Sequence, residues 1–373
     1  MNNHFIACLF TLYLLTSTAC RQNAVPRSTS PNPAPVRGVW VAASDCDALY
    51  SRANIRRMID DCARYGMNHL FVVVWTGGFT QYPSALMQRT FGIRIDPRFA
   101  GRDPLREVIE EAHQRNIKVY AWFEFGFAAD YSAHNAHILT QKPDWAARSA
   151  DGSITTKNGF RWLNSLNPAV QTFLIDIVRE VVAQYDVDGV QGDDRLPAMP
   201  SEAGYDAETV AQYRQETGNV PPANPHDPAW VRWRANRLTD FMGRLYKAVK
   251  TLKTNCPVSS APSIYPFALT EYLQDWPAWM RKGYVDQVCP QIYRRDLAAY
   301  QNELGKIVAE QVAAGQRALV VPGMLLKVGP YVAPDSILAA QIEANRKAGL
   351  PGEVFFHYEG IRKRGAFFEK MYR

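Results

Sequence analysis

Acids and amides with catalytic potential gather at the ends of short apolar runs in this sequence. Asp193 closes the run Gly189–Asp193 and is followed at once by Asp194, Glu124 closes Ile117–Glu124, Gln291 and Tyr293 close Asp286–Tyr293, and Glu359 closes Glu353–Glu359. If the runs are strands, side chains alternate between two faces. Val190 then suits a helix-packed face, while Gln191 and Asp193 share the other. The same alternation sets Tyr120, Trp122 and Glu124 together, and Phe355, His357 and Glu359 together. Parallel strands closed into a barrel would aim these groups at one mouth. Two carboxyl groups in one mouth, one protonated and one ionised, are what hydrolysis of a glycosidic bond requires. Apolar walls and neighbouring like charges push one pKa above the other and so separate the two roles. The plainer alternative is that Asp193 or Asp194 caps the following segment or pairs with Arg195, and that Glu124 is also a strand-end cap.

Aromatic residues follow the same geography. Trp40, Trp75, Trp122, Trp162, Tyr265, Tyr293 and Tyr358 fall at or near the expected upper strand ends or the loops above them. Sugar C–H faces stack on such rings, and Trp and Tyr add a polar handle. Each ring taken singly reads as a core aromatic. Other reactive patterns are missing: no His pair at zinc-binding spacing, no Gly-x-Ser-x-Gly elbow and no Walker loop. His134 and His137 read as surface residues of a long loop. Rim carboxylates also bind divalent cations, but the sequence assigns neither a metal nor a cofactor.

The elements that must carry these groups alternate regularly. Strand patterns occupy Gly38–Ala42, His69–Trp75, Ile117–Glu124, Gly189–Asp193, Val258–Ser263, Asp286–Tyr293, Ala318–Met324 and Glu353–Glu359. They are β-branched and aromatic-rich and end at Gly, Pro or Asp. Helical patterns lie between them at Arg52–Tyr65, Pro104–Arg115, Val170–Tyr185, Trp230–Thr251, Thr270–Lys282, Leu297–Ala314 and Pro334–Ala348, with a last one from Ile361. Asp103 before Pro104 is a helix cap, and Gly66 and Gly349 stand just past helix ends. Eight strand–helix units in strict alternation predict an α/β fold, a (β/α)8 TIM-type barrel. A doubly wound open sheet is the alternative, but no Gly-rich phosphate loop follows the first strand. The connections after strands three and four, Asp130–Pro168 and Arg195–Pro228, are long. Barrel active sites are built from such loops.

The chain has 373 residues and a formal net charge of +6, spread without a basic block. Arg52, Arg56 and Arg57 read as the solvated face of a helix, so nucleic acid is not an expected partner. Residues 1–20 read as a signal peptide: an apolar run Phe5–Ala19, too short to span a bilayer, ends in Ser17-Thr18-Ala19-Cys20. Cleavage before Cys20 would leave it ready for lipid attachment and a membrane anchor; conventional cleavage after Ala19 is the alternative. Residues 21–35, with Pro26, Pro31, Pro33 and Pro35, read as an extended linker. Residues 36–373 then form the barrel domain. Cys46, Cys62, Cys256 and Cys289 lack metal-ligand spacing and read as buried thiols.

Four segments now bear on one another: Arg37-Gly38-Val39-Trp40, Ala121-Trp122-Phe123-Glu124-Phe125-Gly126, Asp188-Gly189-Val190-Gln191-Gly192-Asp193-Asp194 and Pro290-Gln291-Ile292-Tyr293. In this order they resemble the bacterial family-10-like glycosyl hydrolase domain. That group includes envelope enzymes that cut peptidoglycan glycan strands lacking stem peptides. The stretch Asn219–Arg234 is similar to the cyanobacterial-type branch. The resemblance implies a barrel, an exported location in the cell envelope and a polysaccharide substrate, and it places the family's acid pair at Asp193 and Asp194. Gly192 and Arg195 depart from it, since members usually carry a bulky apolar residue and an aromatic or His there. Other members have Asn at the position of Glu124.

The resulting expectation is a glycoside hydrolase with Asp193 as first catalytic carboxylate, Glu124 as its acid/base partner and Asp194 as a positioning group. Trp40, Trp75, Trp122, Asn164, Gln191, Tyr265, Gln291, Tyr293 and Glu359 are the expected substrate-binding residues. The rival readings are an exopolysaccharide or capsule hydrolase and a carbohydrate-binding envelope protein without catalysis.

Overall fold

The computed structural model describes residues 34–43 and 46–372. The expected signal segment with Cys20, and residues 21–33 of the linker, lie outside the described residues.

Eight parallel strands carry the fold: β1 Val36–Val41, β2 His69–Val73, β3 Lys118–Phe123, β4 Gly189–Gly192, β5 Val258–Ser260, β6 Gln287–Val288, β7 Gly323–Leu325 and β8 Gly352–Phe356. Around the sheet they run β6-β5-β4-β3-β2-β1-β8-β7. Parallel bridges from Val288 to Val320 and from Gln291 to Gly323 join the two edges. There the Val321 amide donates to the Val288 carbonyl at 2.9 Å, and Gly323 donates to Pro290 at 2.8 Å. The sheet is thus a closed barrel, and no edge is left to pair elsewhere.

The main helices are α1 Arg52–Arg64, α2 Pro104–His113, α3 Pro168–Gln184, α4 Pro228–Leu252, α5 Trp276–Arg281, α6 Leu297–Lys306, α7 Asp335–Lys347 and α8 Gly365–Tyr372. Side chains of Ser51, Asp103, Asn167, Asp227, Asp275 and Asp296 cap six of them, several with proline just inside. These caps satisfy amides that have no partner within the helix. Cys46, Cys62, Cys256 and Cys289 are free and buried.

Three sequence expectations change. The pattern Thr270–Lys282 is two short helices, Phe267–Tyr272 and α5, separated at Leu273, which is left-handed with φ 59°. The break lets the buried Gln274 amide reach the carbonyls of Pro197 and Asp193. Ala318 and Leu319 belong to a 3-10 turn rather than to strand seven. In β8 the faces are reversed: Phe355 packs outward on Phe368 and Tyr372 of α8, while Phe356 turns inward to Trp40 and Tyr293. Both phenylalanines are apolar, so alternation carried no signal there. The one acid in the strand, Glu353, faces outward and is satisfied by Tyr372 and Asn345.

Inside the barrel, the Trp40 indole donates to Gln191 Oε1 at 2.7 Å, Gln191 donates to Ser259 Oγ at 2.9 Å, and Ser259 donates to Gln287 at 3.0 Å. At the opposite, N-terminal face one device recurs. The residue just before β2, β4 and β6 bonds the backbone amide of the preceding strand: Asn68 holds Arg37, Asp188 holds Val119, and Asp286 holds Val258, each at 2.8 Å. A short acceptor there satisfies an amide left over where the ladder begins.

Asp188 also accepts from His113 at 2.9 Å. Asp188→Ala should therefore cost about 1–3 kcal/mol of stability, the usual cost of orphaning buried donors. Chemical denaturation measures this, and turnover per folded molecule should stay unchanged because the residue lies on the face away from the mouth.

Candidate active site

The mouth is organised by the turn that ends β4. A Cβ on Gly192 would stand 2.4 Å from the Leu196 carbonyl oxygen, so this position must be glycine for the turn to fold back. Leu196 donates its amide to Asp193 at 3.0 Å, which closes the turn. The loop after β3 presses on the same turn. Gly126, with φ +48°, leaves no room for a Cβ beside the Arg195 carbonyl, and that carbonyl accepts from Phe127 at 2.8 Å.

Two carboxyl groups, Asp193 and Asp194, pair with one guanidinium here, and the backbone carbonyl of a third acid, Glu124, also bonds it. Asp193, 4 % exposed, accepts from Gln291 Nε2 at 2.7 Å and from Arg195 Nη2 at 2.9 Å. Arg195 Nη1 lies 3.0 Å from Asp194 Oδ1, and Arg195 Nε donates to the Glu124 carbonyl at 3.0 Å. The guanidinium stacks over Phe160 and Phe125, 4.8 and 5.7 Å from the ring centres. Burial pushes the Asp193 carboxyl well above the usual carboxylate range; Asp194 and Glu124 add to the push, and Arg195 opposes it. Burial also raises Glu124, with Asp194 adding, while Arg195 and a hydrogen bond from Thr76 pull it down. Burial, Asp193 and Asp194 hold the Tyr293 phenol protonated. The mouth therefore keeps a carboxyl proton at a higher pH than a free side chain would, as general acid catalysis needs.

Glu124 and Arg195 line a cavity of about 570 Å³, together with Thr76, Phe79, Arg98, Phe125, Tyr131, His134, Asn135 and Phe160 among others. Asp193 does not line it and connects to it through Arg195.

The structure thus brings Glu124, Asp193, Asp194, Gln291 and Tyr293 to one mouth, and sets the other expected residues elsewhere. Gln291 commits its amide to Asp193 and the Ala261 carbonyl, so it holds the acid in place instead of reaching for sugar. Trp40, Trp122 and Gln191 are buried in the barrel interior, and Trp75 is buried with its indole donating to Gly126. Asn164 is buried and accepts from the Leu166 amide in its own turn. Tyr265 lines a different cavity with Arg281 and Gln311. Glu359 falls past β8 on a short helix and pairs with Arg362. Large aromatic side chains at strand ends filled the core, because burying their area outweighs leaving them in water. The residues that sequence reasoning missed are Thr76, Phe79, Phe125, Tyr131 and Phe160. Arg195 entered it only as a possible ion-pair partner of the two acids, and that pairing is present.

Among the described residues, Glu202, His226 and Glu271 could converge on a metal ion. The Lys157 ammonium already occupies that position, 2.9 Å from Glu202 and 2.7 Å from Glu271.

Residues 35–325 match the family described as glycosyl hydrolase-like 10. The chain is 27 % identical to glycosyl hydrolase DigH of Escherichia coli K12, over 86 % of this chain and 81 % of that protein. It is 26 % identical to glycosyl hydrolase YngK of Bacillus subtilis, over 69 % of this chain and 54 % of that one. Among solved structures it resembles the PgaB (BpsB) glycoside hydrolase domain of Bordetella bronchiseptica, with TM-score 0.67, 16 % identity and coverage of 90 % and 97 %. The catalytic domain of a Paenibacillus polymyxa β-amylase shares the fold at TM-score 0.60 and 9 % identity, with coverage of 89 % and 96 %.

A carboxyl with a raised folded-state pKa supports folding while protonated. Its contribution is full below the ordinary carboxyl range and is lost as pH rises through the raised value. Glu124→Gln should therefore stabilise the protein at neutral pH, and the gain should vanish toward about pH 4. Thermal unfolding of both proteins across that range is the check; an equal shift at both ends would contradict the raised pKa.

Proposed function

We propose, from the premise that the chain belongs to the glycosyl hydrolase-like 10 family and is a glycoside hydrolase, that it cuts the glycan strands of a cell-wall or cell-surface polysaccharide. Peptidoglycan glycan strands are the substrate we favour. The observation that carries the reading is the set of three carboxyl groups, Glu124, Asp193 and Asp194, about the Arg195 guanidinium in the mouth of the barrel.

The roles follow from the environment of each group. Glu124 faces the cavity with its pKa raised, and it delivers a proton to the departing glycosidic oxygen. Asp193 is oriented by Gln291 and Arg195. It is the second carboxyl of the pair, set behind Arg195 and itself raised in pKa; in its ionised fraction it attacks the sugar's anomeric carbon or takes a proton from the water that does. Asp194 holds the other arm of Arg195 and so keeps the guanidinium on Asp193. Tyr293, tilted against Phe356 and kept protonated, offers a hydroxyl to the sugar.

The preference for peptidoglycan is supported by the resemblance of the Arg37–Trp40, Ala121–Gly126, Asp188–Asp194 and Pro290–Tyr293 segments to envelope enzymes of that specificity. Purified peptide-free peptidoglycan strands, set beside exopolysaccharide and capsule preparations, test it. Release of new reducing ends from the latter two alone would move the substrate to the exopolysaccharide class, and binding without release would make the protein a carbohydrate-binding one. We further propose export and lipid anchoring through Cys20, supported by the apolar run ending in Ser17-Thr18-Ala19-Cys20.

Removing the second carboxylate should cost several kcal/mol in the transition state, and each 1.36 kcal/mol is about tenfold in rate. Asp193→Asn should thus lower turnover on the order of 10³-fold or more. Glu124→Gln should lose less on substrates with good leaving groups, where no proton need be delivered. Activity that survives in both variants would place the catalytic centre elsewhere. For the anchor, the wild type should fractionate with membranes and Cys20→Ala should not; release of both into the soluble fraction would leave simple secretion.

A further inference from the structure

The cavity beside the acids extends away from the barrel axis, toward the loops that follow β2 and β3. Its wall is a continuous row of stacked groups. Arg195, bonded to Asp193, lies over Phe160 at 4.8 Å, and Phe160 meets Tyr131 edge to face at 5.1 Å. Tyr131 ends the row at the rim and is 52 % exposed, against 1 % for Trp40 and Trp122.

The surrounding chain holds that exposed ring still. Asn158 and Gly159 have φ of 54° and 81° and turn the hairpin between Thr156–Lys157 and Phe160–Trp162. This is the conformation an Asn-Gly hairpin turn prefers. A Cβ on Gly159 would stand 2.7 Å from the Tyr131 ring, so the glycine is what lets the ring lie against the turn. On the other side, Ser132, Ala133 and Asn135 all have positive φ between 52° and 60°. Side chains other than glycine enter that region at a cost, and such costs collect at ligand-binding edges. An aromatic ring fixed by its edge, with much of its surface left in water, is built to receive a flat apolar surface.

We propose that Tyr131 is a sugar-stacking platform for a unit of the glycan beyond the cleaved bond, so that the protein grips a long chain across the β2 and β3 loops. The ligand class is a polysaccharide chain of several sugars whose ring faces are free to stack. At the far side of the cavity Arg98, held by Asp96 and donating to the Tyr50 hydroxyl at 2.9 Å, presents a guanidinium to the hydroxyls of the same chain. The inference rests on the glycosidase reading of this mouth. It needs no choice of which acid attacks.

The test compares wild type with Tyr131→Ala and Tyr131→Trp, on the long glycan and on an aryl glycoside of its repeating unit. Tyr131→Ala should raise KM for the long glycan about tenfold, the scale of one lost stacked aromatic contact, with kcat changed less than twofold. The difference should shrink below twofold on the aryl glycoside, and Tyr131→Trp should restore the long-glycan KM. Unchanged KM on the long glycan, or equal losses on both substrates, would overturn the platform. If the wild type cuts neither substrate, the glycosidase reading fails by itself, and co-sedimentation with insoluble glycan then decides the platform. Binding lost in Tyr131→Ala and kept in Tyr131→Trp supports it; binding kept in both refutes it.

Discussion

Charge balance around the Arg195 guanidinium is the constraint from which the rest of the mouth follows. Asp193, Asp194 and Glu124 crowd into a poorly solvated space, and burying an unpaired carboxylate costs several kcal/mol. A charge pair about 4 Å apart at an effective dielectric of about 20 is worth about 4 kcal/mol. One arginine touching both aspartates at 2.9 and 3.0 Å offsets much of that cost, though not all of it. Burial raises the pKa values of Asp193 and Glu124, the neighbouring acids add to the rise, and the single arginine opposes it without cancelling it. A retained proton is therefore a consequence of the arrangement itself.

The same residue ties the mouth to the barrel. Its side chain bonds the Glu124 carbonyl at the end of β3, and its own carbonyl takes the Phe127 amide from the loop above. Two glycines, Gly126 and Gly192, leave the space for this close approach. The long loops after β3 and β4 are thus anchored at their roots on the residue that balances the charge. Gln291 and Gln274 finish the support, one on the Asp193 side chain and the other on its carbonyl.

Interior and mouth divide the aromatic residues between them. Trp40, Trp75, Trp122 and Trp162 are all buried and build the core. The cavity wall falls to Phe79, Phe125, Tyr131 and Phe160, which lie on loops and hairpins. A tryptophan at a strand end gains more from burial than from waiting for a ligand, and Trp162 is buried even on the hairpin whose Phe160 faces the cavity. Position relative to the barrel, more than residue type, separates core from candidate contact.

Local pattern sufficed for the barrel. Eight apolar runs alternating with capped helical stretches are a repeated short-range signal, and Asp103-Pro104 and the glycines after helices marked the boundaries. It also sufficed to set Gln191 inside the barrel and Asp193 and Gln291 at the mouth just past β4 and β6, since polar and apolar residues alternate along those runs. It failed in β8, where Phe355 and Phe356 are alike in polarity and only the packing of α8 decides which turns outward. It could not assign Gln291 to the acid instead of the substrate, because that bond joins residues 98 positions apart. Nor could it show Arg195 reaching across to β3, or Tyr131 lying on Gly159, because those contacts exist only once separate loops meet. The sequence by itself determined which elements form and which acids they carry to the mouth. Tertiary structure decided which groups retain a proton, which aromatics stay in water and what holds them there, since burial and charge proximity are properties of the closed barrel.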